Sequence, residues 1–223
     1  MNVVETDRSF NTVSGIYEII RNRIALLEYA PGTKLSENTL AAEFGISRTP
    51  LRKVLQRLEF EHLLVRSQGS YTTVTDVDAK TLSQIYEVRM VLAENLYRFI
   101  DLPIPPATIK SLERLAEEAK ELQSNHDVYL LGKIHREVEE ALAGTISNIR
   151  AREITELLYF EISRIWLSCV HKLDWNEEIE LLSSELRELI AVLQRGDLRG
   201  FGFRRRNQAA MAFDRIYKAI SAK

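Results

Sequence analysis

The sequence predicts a mainly α protein in two parts, an N-terminal winged helix-turn-helix followed by a C-terminal all-α helical bundle. Three observations lead to this fold class. Apolar residues recur at three- and four-residue steps through almost the whole chain, which is the period of amphipathic helices. One short segment, residues 64–74, alternates with a period of two instead. Glycine and proline number only 9 and 5 among 223 residues, so few breaks interrupt the helices.

Two helices are predicted before the cationic segment at residues 44–58. The first has an apolar stripe through residues 13–27, and Pro31-Gly32 is expected to end it. Ser36 is the expected N-cap of a second, short helix. Gly45 follows that helix in the position after the C-cap, where glycine is favoured.

The third predicted helix lies in FGISRTPLRKVLQRL, residues 44–58, which has four cations and no anion. Ser47 is expected to cap it, and Pro50 lies in the first turn, where a missing N–H costs little. Its predicted buried stripe consists of Leu51, Val54, Leu55 and Leu58. Its predicted exposed side chains are Arg48, Thr49, Arg52, Lys53, Gln56 and Arg57. Because the formal net charge of the chain is −2, a polyanion site must be local, and this face is the candidate.

A short β-hairpin is predicted next, with strands at residues 64–67 and 71–74 around the turn Gln68-Gly69-Ser70. A helix, two helices joined by a tight glycine-containing turn, and a hairpin together make a winged helix-turn-helix. Its recognition helix must present Arg and Lys to phosphates and guanine edges, where an acid would repel the DNA backbone. The alternative is a solvated helix face, but such a face normally mixes charges of both signs. DNA binding is therefore the favoured interpretation.

The segment PGTKLSENTLAAEFGISRTPLRKVLQRLEFEHLL resembles the N-terminal domain of GntR-family transcriptional regulators. The family pattern reads PG-x-x-LSE-x-x-LA-x-x-x-G-V-S-R-x-P-V-R-x-A-L-x-x-L-x-x-x-G-L. Lys53-Val54 replaces the usual small pair, and His62 stands where glycine is common. The resemblance implies DNA contacts from the second helix, the recognition helix and the wing. The implied residues are Ser36, Glu37, Asn38, Ser47, Arg48, Thr49, Arg52, Lys53, Arg66, Gly69 and Ser70.

Residues 77–223 are predicted to form an antiparallel bundle of six helices, behind a DNA-binding domain at residues 9–76. Apolar stripes place the helices near residues 82–99, 107–123, 128–143, 148–172, 175–195 and 197–221. The stretches LSQIYEVRMVLAENL, IHREVEEALAGTISN and LRELIAVLQRGDLRG resemble the FCD domain, an effector and oligomerisation domain named after the fatty-acid regulator. The six-helix count resembles its shorter, vanillate-regulator branch.

The resemblance also bears on a metal site, since many FCD domains bind a divalent metal through an aspartate and three histidines. His135 fits the first histidine. The aspartate position holds Leu131, and the other two histidine positions hold Leu186 and Gln208. A lone imidazole does not hold zinc, and leucine offers no lone pair. We therefore expect no metal and no other cofactor.

The effector pocket implied by the resemblance consists of Tyr86, Arg89, Leu131, His135, Leu186 and Gln208. Arg89 is the residue with which the family grips an effector carboxylate, a task that suits a bidentate guanidinium. The alternative for Arg89 is an intramolecular ion pair or a helix-face charge. His135 is either a core histidine hydrogen-bonded inside the bundle or a polar group in a ligand cavity.

Other features of the sequence bear on the cellular compartment of the protein and on whether it is an enzyme. A single cysteine, Cys169, allows no intrachain disulfide. The N-terminus lacks an apolar leader and no run is long enough to span a bilayer, so the expectation is a cytoplasmic protein without a membrane partner. The run FRRRN at residues 203–207 is interpreted as a solvated face or as inter-helix ion pairs. No nucleophile–base pair or phosphate loop supports an enzyme built on the bundle.

The predicted function is that of a sequence-specific DNA-binding transcriptional regulator, with repression as the more common mode in the family. A homodimer would place two recognition helices on a pseudopalindromic double-stranded operator. A small organic effector, such as a carboxylate, would bind in the bundle and shift the orientation of the two DNA-binding domains about residues 75–78. The alternative is an effector-independent DNA-binding or architectural dimer.

Overall fold

The computed structural model describes residues 12–66 and 71–221. Among these residues, nine α-helices and three short strands form two compact units, which divide after Asp76. The mainly α fold class predicted from the sequence is confirmed. No helix within these two ranges has the length and apolar character needed to cross a membrane.

The first unit combines three helices with a small sheet. Its elements are α1 (Val13–Ala25), β1 (Lys34–Ser36), α2 (Glu37–Glu43), α3 (Arg48–Phe60), β2 (Leu64–Arg66) and β3 (Tyr71–Val74). Strand β3 lies between β1 and β2 and is antiparallel to both. The predicted hairpin is present as β2 and β3, and its turn, Gln68-Gly69-Ser70, lies outside the described residues. The sequence did not predict β1, because three residues are too few to show an alternating pattern.

Local sequence explains where the first helices begin and end. The hydroxyls of Thr12 and Ser36 each accept a hydrogen bond from the amide three residues further on, so both residues cap the helix that follows. Gly45 has φ 62° after α2, as expected of the residue that follows a C-cap. The predicted end of α1 at Pro31 is wrong, because Leu27 already adopts φ 62° and the helix cannot continue through it.

The core of the first unit lies between α1 and α3. The residues of α3 predicted to be buried are all buried, and α1 contributes three isoleucines that are wholly inaccessible. These core residues are Ile16, Ile20, Ile24, Leu51, Val54, Leu55 and Leu58. After α3 the chain turns at His62, whose φ of 58° lies in the left-handed region. This conformation accounts for the glycine that is common at that position in the family pattern.

The second unit contains six α-helices within the described residues, as predicted. They are α4 (Ala79–Asn95), α5 (Pro106–Glu121), α6 (Val128–Ala143), α7 (Ile149–Cys169), α8 (Trp175–Gln194) and α9 (Leu198–Ser221). Short 3-10 turns follow α4 at Leu96–Phe99 and α7 at Val170–Lys172. Asp78, Asp127, Asn148 and Asp174 cap four of the helices through their side chains, which fixes where those helices begin.

Helices α4, α7 and α9 enclose the apolar centre of the second unit, which includes Leu82, Tyr86, Leu158, Ile162 and Ile216. Helix α9 approaches α4 closely at Gly202, where a Cβ atom would lie 2.5 Å from the carbonyl oxygen of Glu94. A larger residue there would push the two helices apart.

Candidate DNA-binding surface and bundle cavity

The recognition helix α3 has the two faces that the sequence predicts. Its leucine and valine stripe is buried, and the side chains of Arg48, Thr49, Arg52 and Lys53 are exposed. Ser47 takes the extended backbone of an N-cap, but its hydroxyl accepts no hydrogen bond from the first turn. The predicted cap is therefore correct in position and wrong in its hydrogen bond.

A buried acid from α2 lies against the two arginines of this face. The Glu37 carboxylate accepts hydrogen bonds from Arg52 Nε at 2.9 Å and from Arg48 Nη2 at 3.2 Å, and the residue is 7% exposed. Burial alone would raise the pKa of Glu37, but the bonds from Arg52 and Arg48 outweigh it, and the net pKa is lowered. The exposed face of α3 itself carries no acid among its predicted residues, and the carboxylate that pairs with its arginines comes from the preceding helix, which the sequence did not predict.

This arrangement suits Glu37 to orienting the arginines and not to touching DNA. A buried carboxylate that already accepts two charged donors has no donor for a phosphate and would repel one. Arg48 and Arg52 keep about half of their side-chain surface exposed, since each is 48% accessible. Their remaining N–H groups stay available on the outer face of α3.

The other predicted contact residues differ in how they are held. Ser36 is engaged as the cap of α2, while Asn38 is exposed on the first turn of that helix. Lys53 has no ion-pair partner within the described ranges, and Arg66 on β2 lies 3.7 Å from Glu59. Two further predicted contacts, Gly69 and Ser70, lie outside the described residues.

Arg57, at the far end of α3, is held by the first unit itself. Its guanidinium lies 3.7 Å from the centroid of the Tyr17 ring, and its Nε donates to Glu61 at 3.0 Å. The Tyr17 hydroxyl also donates to Glu61. Burial raises the pKa of Tyr17 to about 12, so this hydroxyl stays protonated as a donor. The positive charge that remains for a partner is therefore concentrated in the first turns of α3.

A cavity of about 110 Å³ lies inside the second unit, which is room for several waters or one small organic molecule. Helices α4, α6, α7, α8 and α9 all contribute to its wall. Four of the predicted pocket residues line it, namely Tyr86, Arg89, His135 and Gln208. The charged and aromatic residues that the sequence reasoning missed are Glu139, Tyr159, Trp166, Glu185, Arg205 and Arg215.

Two predicted pocket residues, Leu131 and Leu186, do not line the cavity, and this part of the prediction is corrected. Both are buried in the bundle core, with accessibilities of 0% and 1%. In α8 the neighbouring Glu185 faces the cavity, because a shift of one residue turns a side chain by about 100° around a helix. Glu139 could have been found from sequence, since it follows His135 by one helical turn on the same face.

His135 fits the interpretation of a polar group in a cavity better than that of a hydrogen-bonded core residue. Its ring packs against Trp166 with centroids 4.2 Å apart, and it makes no hydrogen bond within the described part of the chain. Burial lowers the pKa of His135 to about 4; Arg205 and Arg215 lower it too, against the opposing effect of Glu139. The ring is therefore neutral near pH 7.

Ion pairs connect α9 to the helices around it, as the second interpretation of FRRRN expected. Arg204 pairs with Glu188, and Arg205 pairs with Glu139. Burial alone would raise the pKa of Glu139, but the charges of Arg205 and then Arg89 lower it overall. The basic run is thus part of the bundle's internal ion pairing.

Arg89 differs from Arg205 and Arg215 of the cavity wall, which both form ion pairs. Its Nη1 is buried without a hydrogen-bond partner, and its guanidinium carbon lies 5.6 Å from the centroid of the Tyr86 ring. No carboxylate pairs with it within the described residues. The alternative of an intramolecular ion pair is therefore not observed among the described residues, and a guanidinium with an unpartnered Nη1 lines the cavity.

The residues at the family's metal positions do not fit a divalent metal. Leu131 and Leu186 have no donor atom, and the Glu139 carboxylate near His135 is engaged by Arg205. Across the two described ranges no three His, Cys, Asp or Glu side chains come together in a way that could hold an ion.

We expect elemental analysis of the purified protein to find substoichiometric divalent metal, since one imidazole without further donors binds zinc weakly. Treatment with a chelator should leave the melting temperature unchanged. One metal per chain, or a clear loss of stability on chelation, would contradict this prediction.

Comparisons with known proteins agree with this geometry. Residues 12–74 match the family described as bacterial regulatory proteins, gntR family. The gluconate operon transcriptional repressor of Bacillus subtilis (strain 168) is 36% identical over 105 residues, which are 47% of this chain and 42% of the repressor. The chain spans about half the length of the curated relatives it matches. These relatives are named as transcriptional regulators, which gives an enzymatic role no support.

Solved structures are similar in fold to this protein over nearly its whole chain. The structure of E. coli McbR/YncC has a TM-score of 0.77 at 19% identity, covering 91% of this chain and 97% of that one. A transcriptional regulator GntR from Rhodococcus sp. RHA1 has a TM-score of 0.72 at 20% identity, with coverages of 95% and 98%. At such low identity the likeness concerns the fold alone, and it includes the helical bundle.

Proposed function

We propose that this chain, which belongs to the GntR family of bacterial regulatory proteins through its residues 12–74, is a sequence-specific DNA-binding transcriptional repressor. One observation carries the proposal. Helix α3 presents Arg48, Arg52 and Lys53 on an exposed face above a buried aliphatic stripe. In a winged helix-turn-helix this face enters the major groove, where arginine recognises guanine and phosphate. The name of the gluconate operon repressor supports repression as the mode.

The regulator acts as a cytoplasmic homodimer in this proposal. Two copies related by a two-fold axis present two α3 helices, and such a pair requires an operator with the same symmetry. A pseudopalindromic double-stranded site therefore follows from the symmetry of the protein. Arg48 and Arg52 in each copy would read or clamp one half-site, with Glu37 holding both side chains in place.

A small organic effector in the bundle cavity controls the affinity for DNA in this proposal. The cavity lies between five helices, and its wall combines apolar and aromatic side chains with several charged and polar groups that could fix the orientation of a ligand. The unpartnered Nη1 of Arg89 supports an effector with an acidic group. To act as a switch, the effector must bind one orientation of the DNA-binding domains more tightly than the other.

A binding selection with the full-length protein tests the DNA-binding function. Purified protein is expected to retain a specific genomic fragment in the presence of excess bulk competitor DNA. The first candidates are the regions flanking its own gene, since such regulators usually control an adjacent operon. Retention of no fragment above competitor, at low ionic strength, would contradict the proposal.

Titration of metabolites against the operator complex then distinguishes the sensor from the alternative of an effector-independent architectural dimer. Release of DNA by one compound supports a sensor. If no metabolite of the pathway encoded by the neighbouring genes changes the affinity for the operator, the architectural dimer is supported.

A further inference from the structure

Two charged side chains in the cavity wall have no ion-pair partner among the residues that the structure describes. The other charges are matched, because Arg205 pairs with Glu139 and Arg215 pairs with Glu178 at 2.7 Å. Arg89 on α4 and Glu185 on α8 remain. The Nη1 of Arg89 is buried without a hydrogen-bond partner, so a ligand in the cavity can satisfy it, and an unpaired charge is costly in a buried site.

Glu185 is the group of the cavity that changes charge near neutral pH. Burial raises the pKa of Glu185 to about 7; Glu178 and Glu139 add to the rise, and Arg205 and Arg215 oppose it. His135, with a pKa of about 4, is already neutral near pH 7, and the pKa of Glu139 is lowered.

The tyrosines of the wall stay protonated, because burial raises the pKa of Tyr86 to about 12 and also raises that of Tyr159.

We propose that the cavity binds a small dipolar molecule, with its anionic group on Arg89 and a protonated amine on Glu185. Such a ligand supplies an opposite charge to each unpaired residue and adds no net charge to the buried site. The aromatic rings of Tyr159 and Trp166, which also line the cavity, offer the kind of surface that favours an organic cation. This inference rests on the proposed function and specifies the chemical class of its effector.

A plain carboxylate satisfies only half of this site. It would pair with Arg89 but leave Glu185 without a partner, so Glu185 would have to take up a proton. A dipolar ligand instead requires Glu185 to be ionised. The two ligand classes therefore differ in the sign of their pH dependence.

The direction in which ligand affinity changes with pH follows from the protonation of Glu185. A ligand with an amine binds the ionised form, so its affinity is full above the pKa of about 7 and falls as the pH drops below it. From about pH 8 to about pH 6 the expected loss of affinity is roughly tenfold. A carboxylic acid without an amine binds best when Glu185 is neutral, so its affinity should stay level or rise over the same interval.

Calorimetric and thermal-shift titrations of the full-length protein test the inference. The probes are the common L-amino acids and short ω-amino acids, each beside the acid in which a hydroxyl or hydrogen replaces the amine. At least one amino acid should bind about tenfold or more tightly than its amine-free partner at about pH 8. Failure of every amino acid to bind, or equal binding of the amine-free acids, would overturn the inference.

Matched substitutions on α8 test whether Glu185 causes the preference for the amine. Glu185→Gln should remove both the preference for the amine and the pH dependence, whereas Glu180→Gln, an exposed acid on the same helix, should keep both. The pH dependence of the unsubstituted protein tests the same point if Glu185→Gln fails to fold. Operator binding is measured in parallel by gel shift. Intact operator binding without an amine preference contradicts this inference alone, and absence of operator binding contradicts the proposed function.

Discussion

Replacing Arg48 and Arg52 together by alanine is expected to abolish operator binding while leaving the helical content unchanged. Each arginine that contacts a base or phosphate typically contributes about 1–3 kcal/mol, and a dimer would lose four such residues. The affinity should therefore fall by about three orders of magnitude or more at fixed salt. Gel-shift titrations with the selected operator measure the loss, and circular dichroism measures the helical content.

The matched control removes two cations from the bundle instead. Lys120 and Arg150 are exposed, and within the described part of the chain each pairs only with an acid of its own helix. Replacing both by alanine changes the net charge by the same amount as the Arg48 and Arg52 variant. This control should retain operator affinity to within about twofold, since isolated surface pairs contribute little. Full retention of binding by the Arg48 and Arg52 variant would refute the assignment of α3 as the reading helix.

Glu37 makes the double substitution informative in a second way. Without Arg48 and Arg52 its buried carboxylate has no donor, so the variant should unfold more easily than the wild type. Adding Glu37→Gln removes that charge and should restore part of the stability. It should not restore DNA binding, because the lost contacts belong to the arginines. Recovery of binding in the triple variant would show that the arginines act only by balancing Glu37.

The parts of the fold that the sequence predicted are those set by local patterns. The apolar period places α3 and its buried leucines, and the N-caps at Ser36 and Ser47 mark where α2 and α3 begin. Such features depend on residues within one or two turns of each other, so a single sequence contains them. The same holds for the exposed face of α3, whose residues were all identified correctly.

The parts that the sequence missed depend on contacts between distant residues. Glu37 and Arg52 lie on different helices, and only the angle of the helix-turn-helix brings them together. The cavity depends on how five helices rotate, so Glu185 could not be distinguished from the neighbouring Leu186 by spacing alone. Arg89 and His135 were identified because the family resemblance, and not the helical period, points to them.

Replacing Arg205 by methionine is expected to destabilise the bundle by about 2–3 kcal/mol, somewhat less than breaking a fully buried ion pair. The Arg205 and Glu139 side chains are only 14% and 15% exposed, so the substitution leaves Glu139 as a poorly solvated charge. Arg89, whose charge also lowers the pKa of Glu139, limits the loss. Both tryptophans, Trp166 and Trp175, lie in the bundle, so denaturant unfolding followed by their fluorescence reports on this unit.

A second substitution, at Glu139, shows how much of the stability loss comes from the broken ion pair and how much from lost packing. Glu139→Gln added to Arg205→Met removes the stranded charge, so the double variant should be more stable than Arg205→Met alone. An exposed control, Arg150→Met, should change stability by about 0.5 kcal/mol or less. If the double variant lost the sum of the two single losses, the Arg205 and Glu139 charges would be independent and the ion pair would contribute nothing.

The pH dependence of stability tests the Arg205–Glu139 ion pair independently. In the wild type the pKa of Glu139 is lowered, so its contribution to stability is present above the unfolded value of about 4.3 and is lost as the pH falls through the lower folded value. Without Arg205, burial should raise the pKa of Glu139, and the folded variant then gains a proton more readily than the unfolded chain. The stability gap between wild type and Arg205→Met should therefore narrow on acidification below about pH 5, and a constant gap would exclude Glu139 as its cause.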